Sequence, residues 1–253
     1  MRKIRIVESG KTLQPLGLTK SQEIELFRRL TRGRIIARVR PGLYLVPDHL
    51  PLGGVWTPNE IEALNALIQD HNGRYQICGL NAFNRYGYDE QIPNRIYAYN
   101  NRISGDRIIG SIQLTLIKVS NDRLGGTVAV NSLAGETAQY PIRERTLLDA
   151  VYDWARFDTL PRAYNWVRSD LRKKLVDCKQ LVDIILKYGD VSTRRRFGYL
   201  LEQERCEERL LKKIELSLIR SSSYIPWIPR RARRGKTIGR WGVVDNEQSL
   251  MIQ

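Results

Sequence analysis

The stretch from Thr19 to Val46, TKSQEIELFRRLTRGRIIARVRPGLYLV, changes its residue period partway along. Ile24, Phe27 and Leu30, with Leu26 at the edge, recur at helical spacing. After Gly33 the pattern alternates: Ile35, Ala37 and Val39 fall on one face, and Arg34, Ile36, Arg38 and Arg40 on the other. A period of 3.6 belongs to a helix and a period of 2 to a strand, so a helix must hand over to a strand here. Thr19 is predicted to cap the helix, with Gln22 closing a capping box. Gly33 is predicted to take the left-handed conformation that ends helices. Pro41-Gly42 suits a type II turn, and Leu43–Val46 returns as a second strand. Upstream, KTLQPLG reads as a short helix with Gly17 at a tight turn. Two helices joined by such a turn and followed by a hairpin make a winged helix-turn-helix. Such modules normally begin with a longer helix. Here MRKIRIV alternates like a strand, with Ile4 and Ile6 on one face. Either it pairs with the wing or it replaces a degenerate first helix.

Arg28, Arg29, Arg32, Arg34, Arg38 and Arg40 crowd into fifteen residues of this stretch. Guanidiniums so close repel one another, and an external polyanion relieves that repulsion. In the winged-helix reading the helix Lys20–Arg32 enters the major groove. Lys20, Ser21, Gln22 and Glu25 on its first turns then face bases, and the arginines face phosphates. The plainer alternative is a solvated basic face whose arginines pair with Glu23 and Glu25. Charge distribution favours the polyanion. Residues 1–48 carry 11 Lys/Arg against 4 Asp/Glu, residues 49–160 carry 10 against 12, and residues 161–253 carry 21 against 11. The excess of +15 therefore sits at the two ends of the chain rather than over all of it.

Residues 47–56, PDHLPLGGVW, read as a linker, which sets the expected division into a DNA-binding module over 1–50 and a larger domain over 51–253. TPNEIEALNALIQ is predicted helical, with Thr57 as cap and Ile61, Leu64 and Ile68 as its stripe. RYQICGLNAFNRYGY reads as a short strand, a helix over 80–86 and a Gly stop. RIYAYN, SIQLTLIKV, GTVAVN and GETAQY read as strands. From Pro141 the apolar stripes are helical: Leu147, Val151 and Trp154; Tyr164, Val167 and Leu171; Leu181, Ile184 and Ile185; Phe197, Leu200 and Leu201; Leu210, Ile214 and Leu218. SYIPWIPRRARRGKTIGRWGVVDN closes the chain as a β-like piece. The expected fold class is α+β: a winged helix-turn-helix, then short strands, several helices and a C-terminal β-hairpin.

No catalytic, cofactor-binding or metal site emerges. ESGKT at 8–12 and RRGKT at 233–237 lack the first glycine of a phosphate loop, with Arg5 and Arg230 in its place. His49 lies in the linker and His71 in a turn. Cys78, Cys178 and Cys206 are scattered and read as reduced thiols of a cytosolic protein. Met1–Gly10 has no signal-peptide core, and no apolar run nears the roughly 18 residues of a membrane span. Glu144, Arg145, Asp149 and Asp153 cluster on one helix. Arg145–Asp149 reads as a salt bridge, and Asp149–Asp153 as an exposed acidic face or a metal pair. A second basic patch combines Arg231, Arg233, Arg234 and Lys236 of the loop 230–240 with Arg194, Arg195 and Arg196 at a helix start after Ser192. Three cations beside the positive end of a helix dipole call for an acidic neighbour or a ligand.

In their order, several pieces resemble the AbiEi-type antitoxins of bacterial abortive-infection systems. GRIIARVRPGLYLVP is similar to that family's wing, and YQICGLNAFNRYGYDEQIPNRIYAY to the entry of its second domain. IRERTLLDAVYD and RRRFGYLLE are similar to its helical segments. IPRRARRGKTIGRWGVVDN, with Trp241 and Asn246, is similar to its C-terminal hairpin. The resemblance implies a winged helix that binds inverted repeats of double-stranded DNA in its own promoter, a geometry that suits a dimer on DNA. It also implies a second domain that counters a nucleotidyltransferase-like toxin without a stable complex, the type IV arrangement. The alternative from the residues alone is a nucleic-acid-processing enzyme that holds a metal on Asp149 and Asp153.

Overall fold

The computed structural model describes residues 4–8, 16–132, 135–218 and 223–247. The chain is mixed α and β: short strands, then helices, then a C-terminal set of strands. It divides into two compact units. One comprises Met1–Asn81 and Gln91–Tyr140, the other Ala82–Glu90 and Pro141–Gln253. Residues 1–50, expected as a module of their own, lie within the first unit. No described helix is long and apolar enough to cross a membrane.

The first unit opens with β1 (Ile4–Glu8), α1 (Lys20–Arg32), β2 (Ala37–Arg40) and β3 (Leu43–Pro47). β3 is the central strand, with β1 and β2 antiparallel on either side of it. The N-terminal alternation is thus a strand paired with the hairpin, the first of its two expected outcomes. The short helix expected in KTLQPLG falls largely on residues outside those described. Gly17 does take a positive φ of 59°. Thr19 caps α1, and its side chain and Gln22 form the expected capping box.

Phe27 holds α1 to the sheet. Its ring stacks on Tyr44 of β3 at 4.3 Å and 10° between planes. Ile36 completes this small core, and Val7, Leu30, Ile35 and Val46 border it. Three expectations fail here. Ile24 is exposed, because α1 has only one wall to pack against and its stripe narrows to Phe27. Ile36 is buried and does not share the arginine face, because β2 begins only at Ala37. Gly33 is not left-handed (φ −72°). Arg34 takes that conformation instead, at φ 55°. Gly42 at the hairpin tip has φ 85°, as the Pro-Gly turn requires.

The rest of the first unit is α2 (Glu60–Asp70), β4 (Tyr75–Ile77) and the start of α3 (Gly79–Arg85), then β5 (Ile96–Asn100), β6 (Gly105–Ile109), β7 (Ile112–Lys118), β8 (Thr127–Asn131) and β9 (Thr137–Pro141). Asn59, not Thr57, caps α2. Its side chain accepts from Ile61 N at 2.8 Å, and Glu62 reaches back to Asn59 N at 2.6 Å. The sheet runs β4-β5-β7-β6, with β5 and β7 parallel and both edge strands antiparallel. β6 escaped the sequence reading because its GDRII segment is exposed up to its last residue. Ile61, Leu64 and Ile68 of α2 join one apolar core with Ala37, Val39 and Leu45 of the hairpin and Ile77, Ile96 and Leu114 of the four-stranded sheet.

The second unit holds α4 (Arg143–Tyr152), α5 (Trp154–Phe157), α6 (Arg162–Arg172), α7 (Cys178–Tyr188), α8 (Val191–Gln203), α9 (Glu208–Leu216), and β10 (Ile225–Pro226), β11 (Lys236–Ile238) and β12 (Val243–Asp245). α4 is the hub, packing on α6, α7 and α8. That position explains a correction: Glu144, Arg145 and Asp149 are buried, not an exposed acidic face. Arg145 Nε bonds both Asp149 oxygens, at 3.0 and 3.1 Å, as the expected salt bridge. Its guanidinium also lies 4.3 Å from the centroid of the Tyr188 ring. Cys178 and Cys206 are joined as a disulfide across Cα atoms 6.8 Å apart, against the expectation of free thiols, and Cys78 is free and buried.

Candidate nucleic-acid interface

The basic residues of α1 and the hairpin fall into three groups. Arg28 and Arg29 share one carboxylate: Glu25 accepts from Arg28 Nη1 at 3.1 Å and from Arg29 Nε at 3.3 Å. Glu25, expected to face bases, is therefore engaged along its own helix. Both arginines are largely solvent-exposed. Exposed pairs of this spacing are worth about 0.3–0.5 kcal/mol, whereas a hydrogen bond to a charged group is worth about 1.5–3 kcal/mol.

Arg40 forms the second group. Its Nε and Nη2 grip Asp70 of α2 at 2.6 and 2.7 Å. Its fork is filled by Asp70 and fastens the hairpin to α2, so a phosphate contact by Arg40 requires that pair to open. The Arg40 hydrogen bond holds the Asp70 carboxyl below its ordinary range, and desolvation opposes the shift. A depressed folded pKa stabilises the fold above the ordinary carboxylate pKa, and that stabilisation is lost as pH falls through the folded value. Acid titration followed by circular dichroism should therefore show a loss of stability below pH 4 that Asp70→Asn reduces. An unchanged acid limb in that variant would mean that the pair contributes nothing.

Arg32, Arg34 and Arg38 form the third group. None pairs with a carboxylate among the described residues. All three line a groove of about 660 Å³, lying wholly within the first unit, together with Trp56, Thr57 and Ser111. Arg34 is pinned in place: its N–H donates to Thr31 O at 3.1 Å, and its carbonyl accepts from Trp56 N–H at 2.7 Å. Arg38 projects outward between buried Ala37 and Val39, as the strand period requires.

Gln22 carries a complication. Its Oε1 accepts from Thr19 N and from Thr19 Oγ1, each at 2.9 Å, so only its NH₂ is left for a base edge. Gln22→Ala should cost about 1 kcal/mol through the lost box, and Gln22→Glu almost none. Thermal denaturation decides this; equal melting temperatures would mean that the box adds no stability. Lys20 and Ser21 are exposed, and their side chains have no hydrogen-bond partner among the described residues.

The second basic patch does not assemble as expected. α8 starts at Val191 with Asp190 as its cap, so the three arginines occupy its first and second turns rather than its tip. Arg195 and Arg196 are buried. The arginines bind carbonyls: Arg194 on Leu186 O at 2.7 Å, Arg195 on Ser223 O at 2.9 Å and Arg196 on Pro226 O at 3.3 Å. Leu186 lies in the last turn of α7, where carbonyls have no intrahelical partner. These cations bond backbone carbonyls, while Arg194 Nε and Arg196 Nε are buried without a hydrogen-bond partner among the described residues. Arg233, Arg234 and Lys236 remain exposed and Arg231 half-buried. The ends of their loop are tied by Arg230 to Asp158 at 3.4 Å and by Arg240 to Glu202 at 2.8 Å.

Asp149 and Asp153, the pair considered for a metal, each face an arginine, Arg145 and Arg156 respectively. Among the described residues no group of three or more His, Cys, Asp or Glu is placed to hold a metal ion.

No family model matches the chain, and no curated protein matches it. Among solved structures the chain is similar to the crystal structure of the RV2827C protein from Mycobacterium tuberculosis. The TM-score is 0.56 at 17% identity, with 95% of this chain and 86% of that one covered. A likeness at that identity is one of fold.

Proposed function

We propose that the chain binds double-stranded DNA through α1 and the β2–β3 hairpin, acting as a winged helix, and represses its own promoter at inverted repeats. The observation that carries the reading is the trio Arg32, Arg34 and Arg38, gathered around one groove with no carboxylate among the described residues to neutralise them. Beside them α1 offers Arg28 and Arg29, held only by Glu25, and Lys20 and Ser21 on its first turn. Arg40, Arg145, Arg172 and Arg240 each face a carboxylate, which Arg32, Arg34 and Arg38 do not among the described residues. Three unneutralised guanidiniums gathered around one groove favour an external anion there.

The resemblance to AbiEi-type antitoxins supplies the second half of the proposal. On that reading the protein is a cytoplasmic type IV antitoxin that counters a nucleotidyltransferase-like toxin encoded beside it. The enzyme alternative has no comparable support, since Asp149 is buried against Arg145.

The test is fluorescence anisotropy with duplex DNA from the chain's own promoter, titrated at several salt concentrations. With about four arginines on phosphates, log K should fall against log salt with a slope of about −4. Affinity indifferent to salt rejects the phosphate reading. Co-expression with the neighbouring gene's product tests the antitoxin half separately.

A further inference from the structure

We infer that the groove lined by Arg34, Arg38 and Trp56 binds a free nucleoside polyphosphate. The groove is concave, and its volume of about 660 Å³ falls in the range of small-molecule sites, about 300–1,000 Å³. Its chemistry is of three kinds in one recess: guanidiniums, an indole and hydroxyls.

The guanidiniums come first. Arg32, Arg34 and Arg38 line the groove with no carboxylate partner among the described residues. Arg40 lines it too but is held by Asp70, so three uncompensated charges remain; they favour a ligand with several negative charges, and guanidiniums match phosphate oxygens in a planar fork. Arg34 is held there at a price in backbone energy. Its φ of 55° is uncommon for a residue with a side chain, although Gly33 stands immediately before it.

The indole is Trp56, half-buried at the groove and packed along one edge on the first unit's core. No ring or cation stacks on it among the described residues, and its backbone is bonded to Arg34 O. The backbones that carry the indole and one guanidinium are thus joined by one hydrogen bond. An aromatic platform beside phosphate-binding arginines suits a base joined to its phosphates. A duplex does not offer this combination, because its bases are stacked inside. A free nucleotide does.

The hydroxyls are Thr57 and Ser111, whose oxygens lie 3.5 Å apart, and Thr31. Thr31 Oγ1 is buried and has no hydrogen-bond partner among the described residues. Thr57 and Ser111, on the lining, suit a ribose or phosphate oxygen.

The experiment is isothermal titration calorimetry of the full chain, without duplex DNA, with ATP and separately with inorganic tripolyphosphate and a short oligothymidylate. ATP should bind at one saturable site, at least about tenfold more tightly than tripolyphosphate. Arg34→Gln with Arg38→Gln should weaken both ligands. Trp56→Ala should weaken ATP at least about tenfold and leave tripolyphosphate unchanged. Because Trp56 also packs on the core, Trp56→Phe is the second variant, and it should keep ATP affinity within about threefold. Equal affinity for ATP and tripolyphosphate, or no ATP binding at all, overturns the inference. So does a short oligothymidylate that binds more tightly than ATP, which would make the groove a track for single strands. No duplex DNA enters the measurement, so its failure leaves the duplex reading standing.

Discussion

Replacing Arg34 and Arg38 together with alanine is expected to weaken duplex binding about a hundredfold and to leave the chain folded. Each hydrogen bond from a guanidinium to a phosphate is worth about 1.5–3 kcal/mol, so two lost contacts remove about 3 kcal/mol or more. The fold should be spared because both side chains are exposed and neither pairs with a described carboxylate. Exposed substitutions usually shift stability within about 0.5 kcal/mol. The loss should be equal for specific and random duplexes, since phosphate contacts position a protein without reading sequence. The salt slope should shrink by about 2. Arg40→Ala is the informative contrast. It frees Asp70 and loosens the hairpin, so its cost should appear in melting temperature as well as in binding. If Arg34→Ala/Arg38→Ala binds duplex like the parent, α1 and the hairpin do not form the interface.

The same variant separates the two proposed roles. Protection from the neighbouring toxin, with the protein expressed from an unrelated promoter, should persist when duplex binding is lost. Alanine at Arg231, Arg233, Arg234 and Lys236 should leave duplex binding intact. A folded, equally abundant Arg34/Arg38 variant that no longer protects would make DNA binding part of the antitoxin mechanism.

Arg145→Ala is expected to cost about 3–5 kcal/mol and to lower the second unit's melting temperature by about 10 °C or more. The reason is not the strength of the pair in place. Arg145 and Asp149 are both buried, and removing the cation strands a carboxylate in the interior. The truncation also empties the space above the Tyr188 ring. A double-mutant cycle distinguishes the causes. If the stranded charge dominates, Arg145→Ala/Asp149→Ala should be less destabilised than the sum of the two single variants. Additive costs would assign the loss to packing.

Local chemistry was legible where a residue's neighbours in sequence decide its conformation. The Thr19/Gln22 capping box, the Pro41-Gly42 turn, the alternation of Arg38 and Arg40 with Ala37 and Val39, and the Gly87 stop after α3 all follow from residues within a few positions. Most of the apolar stripes of α4, α6, α7, α8 and α9 were readable, because a helix that packs on one side must repeat its apolar residues, although Trp154 falls in α5 and Leu218 beyond α9. β6 was not readable, because an edge strand with one buried residue carries no period.

Partners distant in sequence were decided by the fold. Six arginines in fifteen residues look alike in a string, yet Asp70, thirty positions on, takes Arg40 and leaves Arg38 open. Arg194, Arg195 and Arg196 look like a surface patch until α7, Ser223 and Pro226 bring carbonyls to them. Gly198, in the middle of α8, is unremarkable in sequence. In the fold a Cβ there would overlap the ring of Trp241, so glycine is what lets that indole close over the helix. The amino-acid sequence by itself determined the elements, their caps and the excess of positive charge, because these depend on backbone geometry and composition over short range. Only the tertiary structure decided which charges are spent and which remain, because a guanidinium's partner is whichever acceptor the packing brings within about 3 Å.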